Sequence, residues 1–178
     1  DIEPELNKNI TIGILGLGYL GSFVGRNLHK NGYNIIGFKK TKTMKKYVFP
    51  VLNKEKDLKI FLNKSNIIVS ILPKTKETFH IINSIFLKKM KKKSLLINVG
   101  RGSTLNEKDL ISHLKFNKNF CASLDVLENE PLTSSSPLWN LKNIIITPHV
   151  ASVTVMETAV DYIYRRYQQY IIKGKIKS

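Results

Sequence analysis

The feature that most constrains this chain is Gly16-Leu17-Gly18-Tyr19-Leu20-Gly21. It lies between an apolar run, Ile10-Thr11-Ile12-Gly13-Ile14-Leu15, and apolar Phe23, Val24 and Leu28 at helical spacing. That order fits a buried strand turning sharply into a helix. In G-x-G-x-x-G the first glycine allows the tight turn, the second lets main chain approach a pyrophosphate, and the third lets helix and strand pack closely. Free N–H groups at the helix start, with the positive end of its dipole, favour a diphosphate there. Glycines also end strands for purely local reasons, so the motif takes its weight from the strand and helix that flank it.

At 178 residues and 42% hydrophobic, the chain suits one well-buried domain and is too short for two of full size. We divide it into a polar connecting arm at 1–9, a dinucleotide-binding domain at 10–152 and a C-terminal helix at 153–178. No apolar run approaches the roughly 20 residues that cross a membrane, and Asp1-Ile2-Glu3-Pro4-Glu5 is acidic where a signal peptide is basic. The expectation is a soluble, cytoplasmic chain with no membrane partner. Cys121 is the only cysteine, which excludes an internal disulfide and fits a reducing compartment. Its apolar, strand-like surroundings make it a small buried residue by expectation, not a nucleophile.

A net charge of +16 raises the question of nucleic acid. Only four of the 29 cations are Arg, however, and the lysines are scattered over nearly every surface expected to be exposed. Readers of bases and phosphates use the planar fork of Arg or aromatics interleaved with basic residues, so no nucleic-acid partner is expected. The densest run, Lys88-Lys89-Met90-Lys91-Lys92-Lys93, falls where a helix should end, a favourable place for cations, and reads as a solvated face.

Along the chain, Asn31-Gly32 ends the first helix and Tyr33 to Phe38 is the second strand. A carboxylate at the end of that strand would hydrogen-bond the ribose 2′-hydroxyl of NAD, and cations there would suit the 2′-phosphate of NADP. The residues present are Lys39-Lys40-Thr41-Lys42, so NADP(H) is expected ahead of NAD(H), with Lys39 and Lys40 at the extra phosphate. Lys54 to Asn63 reads as a short helix, Asn66 to Leu72 as a strand ending at Pro73, and Thr75 and Thr78 as a loop at its carboxyl end. Phe79 to Met90 alternates apolar and basic residues at helical intervals. Ser94 to Val99 is a strand ending in Gly100-Arg101-Gly102, and the next helix starts near Asn106, with Asn106 or Thr104 as its cap. Phe120 to Val126 and Asn143 to Thr147 complete the strands, and a last helix runs from Val153 to about Ile172, stopping at Gly174. Alternating strands and helices with short loops predict an α/β fold, a Rossmann-type doubly wound parallel sheet.

Arg101, the acidic group Asp125, Glu128 and Glu130, and His149 each lie just beyond the carboxyl end of a strand, where ligands bind in such a sheet. The trio suits reduction of a 2-oxo acid. Arg would hold the carboxylate or ketone oxygen through its fork of donors. His would give a proton to the carbonyl oxygen, and a carboxylate behind it would hold the ring. Each has a plainer alternative: a loop cation, a solvated acidic face, a structural histidine. His29, His80 and His113 fall in helical stretches and are assigned no role, and no metal-ligand spacing is present.

Four segments then resemble one family, the D-isomer-specific 2-hydroxyacid dehydrogenases. They are Leu95-Leu96-Ile97-Asn98-Val99-Gly100-Arg101-Gly102, Leu124-Asp125-Val126-Leu127-Glu128-Asn129-Glu130-Pro131-Leu132, Ser136-Pro137-Leu138-Trp139 and Thr147-Pro148-His149-Val150-Ala151. Within it the chain looks most like the bacterial glyoxylate/hydroxypyruvate reductase A type, through Leu72-Pro73-Lys74-Thr75-Lys76-Glu77-Thr78, His149-Val150-Ala151-Ser152-Val153-Thr154 and the basic end of the second strand. The resemblance implies that Arg101 binds substrate, that Glu130 pairs with a catalytic His149, and that Asp125 lies by the nicotinamide. It also implies that Gly16, Gly18, Tyr19, Leu20 and Gly21 cover the pyrophosphate and that Pro73, Thr78, Val99 and Gly100 line the cofactor site. Its activity would be reduction of glyoxylate or hydroxypyruvate by hydride transfer, in a homodimer. Family members also carry an N-terminal substrate domain that this sequence lacks. A separate polypeptide supplying it, a reduced remnant of such a reductase that is catalytically silent, and a fragment are the three readings this leaves.

Overall fold

The computed structural model describes residues 6–41, 45–152 and 156–173. Asp1 to Glu5 of the arm, Lys42, the expected start of the last helix at Val153 and its stop at Gly174 lie outside the described residues. The strands are β1 (Thr11–Leu15), β2 (Asn34–Phe38), β3 (Val51–Leu52), β4 (Ile67–Ser70), β5 (Leu95–Asn98), β6 (Cys121–Leu124) and β7 (Ile144–Ile146). All pair in parallel, in the order β3-β2-β1-β4-β5-β6-β7. The helices are α1 (Tyr19–Lys30), α2 (Asp57–Lys64), α3 (Ser84–Lys89), α4 (Glu107–Phe116) and α5 (Met156–Lys173). The chain leaves β1 toward β2 and returns on its other side as β4, so the strand order reverses between β1 and β4. A crevice opens beyond the carboxyl ends of strands at such a point.

Packing follows from the strand pattern. On one face Phe61 and Leu62 of α2, Phe86 and Leu87 of α3, and Leu110 and Leu114 of α4 bury Ile68, Leu96, Ala122 and Leu124. Gly13 lets α2 seat there, since a Cβ on it would stand 2.8 Å from the Phe61 ring. On the other face Val24 and Leu28 of α1 pack with Ile12, Ile14, Ile35, Val69 and Phe49. Among the described residues this second layer does not reach β6 and β7, where Ile145 is 65% exposed. Cys121 stands on that same face and is exposed, which corrects its expected burial: it is strand-like, but none of the described residues covers it. In α5 Val160, Tyr162, Ile163, Tyr164 and Tyr167 are likewise exposed.

Three further differences have local causes. β3 is two residues long and follows Pro50, too short to show periodicity, yet it caps the sheet beside β2. The helix expected over Phe79 to Met90 forms only at Ser84–Lys89. Before it, His80 takes a left-handed φ of 48°, Ile82 bridges to Leu105, and the Asn83 side chain accepts from the N–H groups of Ile85 and Phe86 to start the helix. His80 is therefore a loop residue, whereas His29 and His113 do lie in α1 and α4. Of the two caps considered for α4, Asn106 is the one used, accepting from Asp109 N–H at 3.1 Å.

Candidate functional site

Of the three glycines of the first loop, two are required by the fold itself. Gly16 has φ 101°, and a Cβ there would lie 2.8 Å from the Ile71 carbonyl oxygen. A Cβ on Gly21 would fall 1.9 Å from the Gly16 carbonyl oxygen, so helix and turn touch through main chain alone. Gly18 is different. A Cβ on it would meet nothing within 4 Å, and its φ of −71° is open to any residue. Among the described residues, neither packing nor backbone conformation requires glycine at 18, and the space over it is open. Gly18 is the N-cap of α1, no side chain among the described residues caps the helix, and its first turn holds no acid, while Tyr19 and Leu20 stand exposed beside it. This is the terminus an anionic group favours.

Around the crevice, Lys39 is half-buried and held through its N–H to Leu52 O (3.0 Å), and Lys40 is exposed at the end of β2. Glu77, in the loop after β4, feels the positive charge of Lys40. Its carboxyl lies below the usual range, chiefly through a backbone hydrogen bond and one with Thr75. In that loop the Thr78 hydroxyl donates to Pro73 O at 2.6 Å and accepts from Thr75 N–H at 2.9 Å, so Pro73 and Thr78 are held as one turn. Val99 donates to Ser70 O (3.1 Å), and Gly100 is buried where a Cβ would lie 2.6 Å from Leu72 O.

Beyond β6 and β7 a cavity of about 620 Å³ is lined by Asp125, Leu127, Glu130, Trp139, Thr147 and His149 among others. His149 takes a left-handed φ of 55°, unusual for a residue with a side chain. Its Nδ1 lies 2.8 Å from Glu130 Oε2, while Glu130 Oε1 accepts from Leu127 N–H at 2.9 Å. The hydrogen bond to His149 is the largest cause of a Glu130 carboxyl below its ordinary value, with the Leu127 N–H next. Asp125 is buried, which pushes its carboxyl up. The Thr147 hydroxyl (2.5 Å), the N–H groups of Ala151 and Val150 (2.9 Å each) and the charge of His149 together outweigh that and bring it below the usual range. Asp125 is thus an anion that organises the turn carrying His149.

The structure brings Asp125, Glu130 and His149 together and leaves two expected companions outside this cavity. Arg101 is exposed at the end of β5 with Nη1 on Gly100 O (2.7 Å) and is not among the cavity's lining residues. Glu128 turns away to meet His80. Sequence reasoning missed Thr147 and Trp139. A hydroxyl ending a strand two residues before His149 was a signal for the first; the exposed Trp139, with Nε1 on Thr133 O, gave none for its place in the wall.

A sequence profile for the NAD-binding domain of D-isomer-specific 2-hydroxyacid dehydrogenases matches residues 3–151. The chain belongs to that family. As a 2-hydroxyacid dehydrogenase domain it is 37% identical over 163 residues to glyoxylate/hydroxypyruvate reductase A of Citrobacter koseri, covering 91% of this chain and 52% of that protein. It spans about half the length of the curated relatives it matches. Among solved structures, a family member from Xanthobacter autotrophicus Py2 in complex with NADPH and MES superposes with a TM-score of 0.90 at 33% identity. That match covers 98% of this chain and 72% of the other. An NADPH-dependent glyoxylate/hydroxypyruvate reductase from Sinorhizobium meliloti, in complex with NADP and sulfate, gives 0.87 at 28% identity over 96% of this chain and 55% of the other. The Rossmann-type fold expected from the sequence is that of these dehydrogenases.

Proposed function

We propose that this chain is the cofactor-binding part of an NADPH-dependent reductase that converts a small 2-oxo acid, glyoxylate or hydroxypyruvate, to the 2-hydroxy acid. The observation that carries the reading is the Glu130–His149 pair at 2.8 Å in a cavity on the sheet edge that also bears Gly18. The residues present fit the dinucleotide: the open space over Gly18, the uncapped start of α1 and the cations at the end of β2 suit its phosphates. Gly16, Gly18, Tyr19, Leu20 and Gly21 would hold the pyrophosphate, Lys39 and Lys40 the 2′-phosphate, and Pro73, Thr78, Val99, Gly100 and Asp125 the nicotinamide half. When bound, the cofactor supplies a hydride.

The chain's own groups would do the rest. Glu130 accepts the Nδ1 proton of His149, fixes the tautomer and leaves Nε2 as the nitrogen that protonates the carbonyl oxygen. The ionised Glu130 also favours the charged ring that this step needs. Arg101, exposed at the end of β5, would supply the guanidinium that holds the substrate carboxylate. In this reading the partners are the 2-oxo acid, a second copy of the chain, and a substrate domain borne by the rest of a longer chain or by another polypeptide.

The direct test is oxidation of NADPH in the presence of glyoxylate by the chain together with any domain that co-purifies. Tight NADPH binding without turnover, in that complete assembly, would favour a silent nucleotide-binding remnant instead. Two variants test the cofactor separately. Gly18→Ala is expected to keep its melting temperature and lose about tenfold or more in NADPH affinity by titration, because only the ligand needs that space. Lys40→Asp is expected to weaken NADPH much more than NADH, by about tenfold for one charge-assisted phosphate contact. An unchanged ratio of the two dissociation constants would show that the cation is incidental.

A further inference from the structure

We propose that His80 and Glu128 are positioning residues: their contact ties the loop after β4 to the loop after β6 and so fixes Glu130 against His149. The inference rests on the reading of the Glu130–His149 pair given above and assigns a part to two residues outside it. Among the described residues, His80 and His149 are the two non-glycine positions with a left-handed backbone, and each contacts a glutamate of the same short loop, Glu128 and Glu130. Side-chain-bearing residues persist in that conformation where surrounding contacts over-determine it, and such positions cluster at functional sites.

The contacts that hold His80 are all present. Its N–H donates to Ser103 O (3.0 Å), its ring stacks on Phe79 with centroids 3.9 Å apart, and Nε2 meets Glu128 Oε1. Glu128 is held in turn, since its N–H donates to Glu107 Oε1 at 2.7 Å, at the start of α4. Burial pushes the Glu107 carboxyl up, this N–H lowers it and the charge of Glu128 raises it. His80 thus meets the Glu128 carboxylate while Glu107 holds the Glu128 main-chain N–H. One residue back, Leu127 supplies the N–H that fixes Glu130 Oε1. Two residues before His80, Thr78 closes the turn at Pro73. One contact therefore braces both the cofactor loop and the carboxylate that orients His149, and it is made by side chains that touch neither substrate nor cofactor in this reading.

The experiment uses the full chain with His80→Gly, His80→Gln and Glu128→Gln. Glycine relieves the left-handed position, so loss of the side chain is not confounded with failure to fold. Ring-nitrogen NMR shifts of His149 report whether Nδ1 holds the proton given to Glu130. With His80→Gly and with Glu128→Gln these shifts are expected to move toward the tautomer mixture of free imidazole, while NADPH affinity falls roughly three- to tenfold, as for one hydrogen bond. His80→Gln, which keeps a donor, is expected to restore both. The double variant should be no worse than the worse single one. His149 shifts that stay at the wild-type position in both His80→Gly and Glu128→Gln would overturn the tie. Because those shifts are read without cofactor, wild-type chain that fails to bind NADPH would instead count against the proposed function and leave the tie to be judged on its own.

Discussion

Exchanging Gly102 for alanine is expected to abolish folding of the carboxyl-terminal half of the sheet or to cost about 3 kcal/mol or more. A Cβ at this position would lie 1.8 Å from the Leu127 carbonyl oxygen, 1.9 Å from its carbon and 2.6 Å from Glu128 N. All three are main-chain atoms, so no flexible side chain can swing aside. Relief requires the loop after β5 to separate from the loop after β6. The carbonyl of Arg101, the residue before Gly102, accepts from Thr104 N–H and from the Thr104 hydroxyl, which anchors the same turn. Urea titration followed by circular dichroism measures the cost. A midpoint equal to that of the unaltered chain would show that the two loops do not meet as described. Paired with Gly18→Ala, the variant contrasts a glycine whose Cβ would meet main chain with one whose Cβ would meet nothing.

In an assembly that turns over glyoxylate, His149→Gln is expected to lower kcat by about 10²–10⁴-fold, the usual contribution of a positioned acid, while the dissociation constant for NADPH stays within about threefold. Glutamine can still donate to Glu130 but cannot carry the proton the carbonyl oxygen requires. Glu130→Gln should act in the same direction with a smaller effect, because it leaves the imidazole in place and removes only the charge behind it. The sign with pH follows from the lowered Glu130 carboxyl. Its contact with His149 is fully present above the ordinary glutamate range and is lost as pH falls through the lower, folded-state value. Steady-state rates with saturating NADPH decide the matter, and an unchanged kcat in His149→Gln would remove His149 from the chemistry.

The sheet was legible because parallel strands buried on both faces are written as short apolar runs, and Ile12 to Leu15, Ile67 to Ser70 and Leu95 to Asn98 are such runs. Gly16 and Gly21 were legible for the same reason that they are required: each removes a Cβ that would meet main chain. What could not be read is whatever depends on a distant neighbour. Cys121 has the apolar setting of a core residue, but whether a helix lies over it is decided far along the chain. The periodicity of Phe79 to Met90 is helical, yet His80 is drawn out of a helix by Ser103 and Glu128, residues from two other loops. The pairing of Glu130 with His149 was expected from resemblance, and its geometry depends on Asp125 holding the turn that follows β7. Arg101 follows β5 as its sequence position predicts, and where its guanidinium rests, on Gly100 O, is a side-chain contact that the sequence does not spell out.

The two outermost strands, β3 and β7, are only two and three residues long. A row of unpaired amides and carbonyls is what recruits a strand from a second molecule, and growth of that kind needs a template several residues long. Here Pro50 precedes the first and Pro148 closely follows the second, so an incoming chain finds too short a ladder to register on. The isoleucines of β7 therefore stand at a margin whose hydrogen-bonding rim is only three residues long, a poor template for a second molecule.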